Sequence, residues 1–279
     1  MIKCGYVGVI GRANAGKSSL VNRLVGERVA IVSSKPQTTR NNILGILNGD
    51  DYQIILVDTP GIHHSKNNLD RYMMKNVRNA IASVDVLLYL IDGSKELDQE
   101  EIDYINMLKE KELNVIYLQT KCDKKQKIDM ENFLKISSMT GENIDKVIES
   151  IVESLPECST RIYDEEMFTD KSIKFLIEED IRGQALNMFD KEVPHGIAVE
   201  TERFDEKNDI VIIEANIICE RDSHKGIIIG KGGKNLKIIG QKSREYAEEL
   251  LDKQVLLKLF VKVDKDWRDR NYSNYGYKF

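Results

Sequence analysis

The sequence is poor in the residues that mark special environments. Its 279 residues include four cysteines, four prolines and one tryptophan. Cys4, Cys122, Cys158 and Cys219 are scattered without metal-ligand or disulfide-framework spacing. They read as free thiols of a reducing cytosol, which excludes a disulfide scaffold and a zinc site. No apolar run approaches the roughly 18–20 residues of a membrane span. The longest, 84–91 and 54–57, are interrupted by or end at aspartate and suit buried strands. The opening residues Met1-Ile2-Lys3-Cys4-Gly5-Tyr6 lack the charged region, separate apolar run and small-residue cleavage site of a signal peptide. Neither sign of charge dominates, with 41 Lys+Arg against 46 Asp+Glu and a net charge of −5. A bulk polycation of the histone type is thereby excluded. Internal repeats and low-complexity tracts are absent.

At roughly 100–200 residues per domain, the length fits two domains. The first 155 residues alternate between short Val/Ile/Leu runs and helical spacing. Runs at 6–10, 54–57, 86–91 and 115–118 are four to six residues long, the habit of parallel strands buried on both faces. Helical patterns fall at 18–25, 70–83, 98–111 and 144–155. This is α/β doubly wound patterning. A polar, acidic stretch follows, and we read 158–170 as a linker between domains at 1–157 and 171–279. Beyond it the order changes to a helix at 171–190, strands at 196–204 and 210–220, a glycine turn at 230–233, a helix at 234–251 and a strand at 255–263. Antiparallel pairing is expected in this second part.

The clearest chemistry lies at Gly11-Arg12-Ala13-Asn14-Ala15-Gly16-Lys17-Ser18, which fills every fixed position of G-x-x-x-x-G-K-[ST] between a strand and a helix. The glycines let backbone N–H groups turn toward phosphate oxygens, and the helix N-terminus adds positive potential. Gly11, Asn14, Ala15, Gly16, Lys17, Ser18 and Ser19 are the expected phosphate-side contacts. Lys17 is expected to reach the β- and γ-phosphates, and Ser18 to ligate Mg²⁺. Asp58-Thr59-Pro60-Gly61 forms a D-x-x-G box at a strand end, in which Asp58 serves Mg²⁺ and the Gly61 N–H senses the γ-phosphate. Between the two lies Gln37-Thr38-Thr39-Arg40. One threonine there completes the metal shell, and Thr39 is preferred over Thr38.

The base is specified about 100 residues beyond the phosphate loop, at Thr120-Lys121-Cys122-Asp123. Asp123 accepts two hydrogen bonds from guanine, while adenine would leave the carboxylate unpaired. The Lys121 stem covers the ring plane. Ser137-Ser138-Met139-Thr140-Gly141 stands where a further backbone contact to guanine is expected, through Ser137, Ser138 and Met139.

In the second part, Ile229-Gly230-Lys231-Gly232-Gly233-Lys234 carries an I-G-x-G-G turn. It is similar to the G-x-x-G loop of KH domains, which clamps about four nucleotides of single-stranded nucleic acid. Residues 224–244 contain six Lys/Arg and no Asp or Glu. The first 160 residues carry 20 basic and 22 acidic side chains and the remainder 21 and 24. A narrow basic clamp therefore sits on an acidic body.

Taken together, GRANAGKSSL, QTTR, DTPGIHH, TKCD, IIIGKGGKNLK and the late Lys265-Asp266-Trp267 resemble the Era family of bacterial GTPases over nearly the whole chain. The resemblance implies an α/β P-loop GTPase domain with a mostly parallel doubly wound sheet, followed by an α+β type II KH domain. It implies hydrolysis of GTP to GDP, with Mg²⁺, and a role in maturation of the small (30S) ribosomal subunit. The KH domain would bind the single-stranded 3′ end of 16S rRNA through Ile229, Gly230, Lys231, Gly232, Gly233 and Lys234. A monomer is implied, cytoplasmic or peripheral on the membrane. The competing expectation is a GTPase switch acting on a protein or membrane partner, with the KH-like domain as an interaction module.

Three departures stand out. Thr120 replaces the family's usual asparagine. Only 13 residues separate Asp123 from Ser137, so the helix expected there is short or missing. The tail after 268 is short and aromatic, with Tyr272, Tyr275, Tyr277 and Phe279, and suits packing on the KH domain or stacking on RNA bases. Ile62 occupies the position where other GTPases carry a glutamine that orients water, which predicts slow intrinsic hydrolysis through Lys17, Thr39, Gly61 and Asn14. Asn14 is the candidate for holding K⁺. His63 and His64 are weaker candidates as bases.

Overall fold

The computed structural model describes residues 1–33, 35, 38–62, 67–111 and 113–277. The chain divides into two compact units. The first comprises Met1–Ala30, Thr39–His64 and Met73–Asp170, and the second Ile31–Thr38, Ser65–Tyr72 and Lys171–Phe279. Among the described residues no helix is long and apolar enough to cross a membrane.

The first unit is built on a seven-stranded sheet among the described residues. Its elements are β1 Ile2–Gly11, α1 Lys17–Val25, β2 Ile43–Asn48, β3 Tyr52–Asp58, α2 Asn68–Ser83, β4 Val86–Asp92, α3 Gln99–Glu110, β5 Val115–Thr120, β6 Leu134–Lys135, α4 Ile144–Ser154 and β7 Glu157–Cys158. The first turn of α2 belongs to the second unit. Strand order is β2-β3-β1-β4-β5-β6, with β7 beside β1. β1 is parallel to β3 and β4, β4 to β5, and β5 to β6. Only β2 and β7 run antiparallel, to β3 and β1. Ile54, Ile55 and Leu56 of β3 and Leu87, Leu88, Tyr89 and Leu90 of β4 are buried in succession, on both faces of the sheet, which accounts for the unbroken apolar runs. Ile105 and Leu108 of α3 close over Leu87, Tyr89 and Ile91. Asp98 caps α3 by accepting from Glu101 N at 3.0 Å.

Residues 158–170 are not a free tether. Gln53 on β3 is fully buried. Its Oε1 accepts from Ile162 N (2.8 Å) and Tyr163 N (2.9 Å), and its Nε2 donates to Tyr163 O (2.8 Å). Ile46 N donates to Phe168 O at 2.9 Å, and Thr169 Oγ1 to Leu44 O at 2.6 Å. Backbone groups of Ile162, Tyr163 and Phe168, with the Thr169 hydroxyl, make the segment that reads as a linker a strap lying along β2 and β3. β2 itself was not anticipated.

The second unit carries α5 Ile173–Met188, β8 Ala198–Glu206, β9 Ile210–Cys219, α6 Asp222–Ile229, α7 Lys234–Leu251, β10 Gln254–Val263 and α8 Trp267–Arg270. Ser172 caps α5 by accepting from Phe175 N at 3.3 Å. β8 and β9 pair antiparallel, as expected, but β9 and β10 are parallel, which corrects the expectation of antiparallel pairing. The physical reason is α6, which sequence reading missed. Two helices, not one, lie between β9 and β10, and a long crossover returns the chain in the parallel sense. Within α6, His224 and Ile228 point inward four residues apart while Ile227 is exposed. The core joins Ile181 and Ala185 of α5, Ile239 and Ala247 of α7, and Val211, Ile213, Ala215 and Ile217 of β9.

Candidate functional site

The phosphate loop closes where β1 ends. A Cβ on Gly11 would lie 2.5 Å from Leu90 O, and Gly16 sits at φ +98° immediately before α1. Asn14 is held at φ +66°. Ala15 N donates to Arg12 O at 3.2 Å, which curls the loop. Inside it, Lys17 Nζ donates to Gly11 O (3.0 Å) and Arg12 O (2.9 Å). Burial lowers the Lys17 pKa to about 8, against the opposing pull of Asp58 and Glu101. α1 starts without a side-chain cap, so its first N–H groups are free to receive an anion. Ser19 lies in that first turn.

Beside the loop, three oxygen-bearing side chains converge. Ser18 Oγ lies 2.9 Å from Thr39 Oγ1 and donates to Asp58 Oδ2 at 2.7 Å, and Thr39 Oγ1 donates to the same oxygen at 3.1 Å. Thr38 turns elsewhere, donating to Lys35 O at 2.7 Å. Asp58 is fully buried, and its Oδ1 has no hydrogen-bond partner. Burial raises the Asp58 pKa to about 6 despite Ser18, Lys17 and Thr39. Two hydroxyls and an orphaned carboxylate oxygen next to a phosphate loop form a hard-oxygen donor set that fits Mg²⁺. Gly61 lies against the loop, where a Cβ would stand 2.9 Å from Ala13 N and Cα. Ile62 N donates to Gly11 O at 3.2 Å. Gln37, His63, His64 and Phe279 fall outside the described residues.

At the other end, Thr120 Oγ1 donates to Ala15 O (2.8 Å) and Ile91 O (3.0 Å). A hydroxyl thus braces the phosphate loop at the position where the family usually carries asparagine. Lys121, at φ +61°, sends Nζ to Asn14 O (2.8 Å) and Asp92 Oδ2 (2.6 Å). Burial disfavours the Asp92 carboxylate, yet Lys121 and Ser94 hold its pKa below the usual value. Ser137 Oγ donates to Asp123 Oδ1 at 2.6 Å. Ser138 is half-buried and Met139 is exposed. Residues 121–133 form no helix. Buried Gln119 replaces one, donating to Gln126 Oε1 (2.8 Å) and Ile128 O (3.0 Å) and accepting from Met130 N (3.1 Å). The structure thus brings residues 11–19, 39, 58–61, 120–123 and 137–139 to the C-terminal ends of parallel strands, where open α/β sheets place ligands. Sequence reasoning missed Asp92, Gln119 and Gln126. Asp92 had a signal, as the polar residue closing a buried strand, and the glutamines had none.

In the second unit, α6 ends at Ile229 and α7 begins at Lys234. Gly230, Gly232 and Gly233 between them have φ of +74°, +60° and +76°. A Cβ on Gly232 or Gly233 would meet nothing within 4 Å, so backbone conformation and outside access, not internal packing, favour glycine there. Lys231 and Lys234 are exposed, and Ile229 is partly buried against the core. Asn235 Nδ2 donates to Ile227 O at 2.9 Å and pins the turn. Of the aromatic tail, Tyr275 and Tyr277 pack on Trp267. Trp267 is fully buried, donates to Gly196 O at 2.9 Å, and stacks on Tyr277 with ring centroids 5.9 Å apart.

Comparison with known proteins places these features. The family model described as "50S ribosome-binding GTPase" matches residues 6–121, and the KH domain model matches residues 192–268. The protein called GTPase Era of Clostridium acetobutylicum is 44% identical over 293 residues, covering 100% of this chain and 99% of that protein. GTPase Era of Alkaliphilus metalliredigens is 42% identical, covering 96% of each chain. Among solved structures, Era in complex with MgGDPNP and nucleotides 1506–1542 of 16S ribosomal RNA is 33% identical, with a TM-score of 0.93 and both chains fully covered. An Aquifex aeolicus Era variant bound to GDP and AlF4⁻ gives the same identity, coverage and TM-score.

Proposed function

The chain belongs to the Era family of GTPases, and from that premise we propose that it hydrolyses GTP in the first unit while its KH domain binds the 3′ region of 16S rRNA during maturation of the small ribosomal subunit. The observation that carries the nucleotide half is the convergence of Ser18, Thr39 and the unpartnered Asp58 oxygen beside Lys17. The RNA half rests on the exposed turn 230–234 and on the solved relative that holds a 16S fragment.

In this reading Lys17 leaves the loop carbonyls for the β- and γ-phosphates, and the N–H groups of Gly11–Ser19 surround them. Ser18, Thr39 and Asp58 hold Mg²⁺, which neutralises charge on the phosphates when bound. Asp123, aligned by Ser137, pairs with guanine, while Lys121 lies along the base and Ser138 and Met139 contribute backbone. Water adds to the γ-phosphorus, the bond to the β–γ bridging oxygen breaks, and GDP and phosphate leave. Ile62 can neither donate to nor accept from that water, so intrinsic turnover is slow. Asn14, at φ +66°, would hold K⁺, which would supply positive charge beside the phosphates. Ile229, Gly230, Lys231, Gly232, Gly233 and Lys234 form the RNA clamp.

The test measures binding of a short 16S 3′-end oligonucleotide with GTP analogue, with GDP and without nucleotide. Binding that depends on nucleotide and is lost in Gly232→Asp supports the proposal. No oligonucleotide binding in any state overturns the RNA half and favours a protein or membrane partner.

A further inference from the structure

We infer that Gln126 is a positioning residue of the base site, bridging the two ends of the turn that carries Asp123 and so holding its carboxylate in the orientation that distinguishes guanine. The inference rests on the nucleotide reading above and deepens it at the base-recognising end. Every residue it uses lies in the first unit.

Asp123 sits at the tip of a tight turn. Lys124 N donates to Lys121 O at 2.9 Å, which closes a four-residue turn with Cys122 and Asp123 at its centre. The middle of the turn is held by Ile136 and Ser137. Cys122 N donates to Ile136 O at 3.1 Å, and Ser137 Oγ donates to Asp123 Oδ1 at 2.6 Å. The two ends are held by Gln126, whose Nε2 donates to Lys121 O at 2.7 Å and to Lys124 O at 2.9 Å. Residues 121–133 form no helix, so these carbonyls have no helical N–H four residues on to serve them. A side-chain amide takes that place.

Gln126 is itself fixed to the sheet. Its Oε1 accepts from Gln119 Nε2 at 2.8 Å. Gln119, fully buried on β5, also donates to Ile128 O at 3.0 Å and accepts from Met130 N at 3.1 Å. Both N–H groups of each amide are used, so reversing either one would set its oxygen against other oxygens. Gly93 leaves room for the pair. A Cβ there would collide with Gln126 Oε1 and stand 2.9 Å from Gln119 Cγ.

Ser137 sets the Asp123 side chain relative to its own backbone, and Gln126 sets that backbone relative to β5. Each peptide is planar, so a fixed Lys121 carbonyl fixes the plane from which the chain enters Cys122 and Asp123. Guanine offers two donors to the carboxylate, its ring N–H and its exocyclic amine. Both are met only when the carboxylate faces them squarely. A loosened turn therefore loses the second of the two parallel hydrogen bonds before the first.

The experiment compares wild type, Gln126→Met and Gln126→Ala in the full chain. Displacement of a fluorescent GDP by GDP and by inosine diphosphate is measured, in Mg²⁺ and in chelator. Inosine diphosphate lacks the exocyclic amine and reports the single remaining bond. Gln126→Met, of similar length without the donors, is expected to weaken GDP about tenfold and inosine diphosphate about twofold, which narrows the preference about fivefold. The ratio of affinities with and without Mg²⁺ is expected to stay as in wild type, because Ser18, Thr39 and Asp58 are untouched. A GDP preference within twofold of wild type overturns the inference, including when both nucleotides weaken equally, which marks a general structural role. A narrowed preference accompanied by an altered Mg²⁺ ratio overturns it as well, since the whole site has then shifted. Should Gln126→Met fail to fold, Gln126→Ala decides on the same ratios. A wild type without preference for GDP over inosine diphosphate refutes the base reading itself, whereas a wild-type preference that neither variant narrows refutes this inference alone.

Discussion

The Ser137 hydroxyl donates to one carboxylate oxygen of Asp123 at 2.6 Å, across a separation of 14 residues. Asp123 is exposed while Ser137 is fully buried. The buried partner therefore sets the rotamer of the exposed one before any base arrives. Ser137→Ala is expected to weaken GDP binding about five- to tenfold, near 1 kcal/mol, by releasing that rotamer. Asp123→Asn, with its amide, is expected to shift preference toward xanthine nucleotides. Displacement of a fluorescent GDP by GDP and by XDP measures both. Unchanged affinity in Ser137→Ala would remove Ser137 from the base site.

Asp58 links stability to function with opposite signs. Burial raises its folded pKa to about 6. Between the ordinary carboxylate value and about 6 the folded protein binds more protons than the unfolded one, so stability falls as pH rises through that window. Asp58→Asn removes this cost and is expected to raise the nucleotide-free melting temperature above pH 6 while abolishing the Mg²⁺-dependent part of nucleotide affinity. Thermal melts at pH 5 and pH 8, with nucleotide titrations in Mg²⁺ and in chelator, separate the two effects. A lower melting temperature at both pH values would refute the sign.

Cys122 sits inside the guanine-specifying segment but is held as a thiol. Burial, then the hydrogen bond to Glu142 Oε2 at 3.3 Å and the nearby Asp123 charge, push its pKa to about 11. At pH 8 only about a thousandth is thiolate. Alkylation of Cys122 is expected to be slow at pH 8 and to rise about tenfold per pH unit toward 10, and Glu142→Gln is expected to accelerate it at pH 8. Mass spectrometry of the Cys122 peptide after iodoacetamide treatment provides the check. A rate that levels off near pH 8 contradicts the prediction.

The basic clamp makes a salt-dependent prediction. Lys231→Glu and Lys234→Glu are expected to weaken binding of the 16S 3′-end oligonucleotide across all sequences tested and to lower the salt slope by roughly one ion each. Gly232→Asp, strained at φ +60° and negatively charged, is expected to abolish it. Fluorescence anisotropy at several KCl concentrations reads each. GTP hydrolysis without RNA is expected to stay as in wild type, because these residues belong to the second unit and are not among the residues of the nucleotide site.

Trp267 anchors the tail by burial and by its bond to Gly196 O. Trp267→Ala is expected to destabilise the second unit by about 3–5 kcal/mol. Trp267→Phe is expected to cost less, losing the hydrogen bond but keeping much of the apolar contact. Urea denaturation followed by intrinsic tyrosine fluorescence measures the difference.

The sequence by itself determined the phosphate loop, the D-x-x-G and TKCD boxes, the glycine turn and the alternating order of the first unit. These are local. A glycine at positive φ, a lysine one step behind it and an apolar run of strand length leave their marks within ten residues. Tertiary structure alone decided the rest, because each remaining feature joins residues whose separation carries no pattern. Gln53 as the anchor of 158–170 and Gln119 as the substitute for a missing helix are of this kind. So is the parallel pairing of β9 and β10, which required a helix that the sequence disguised as an apolar run. A buried polar side chain acquires its meaning from the partners that folding delivers to it, and for Gln53 those partners, Ile162 N and Tyr163 N, lie 109 and 110 residues away.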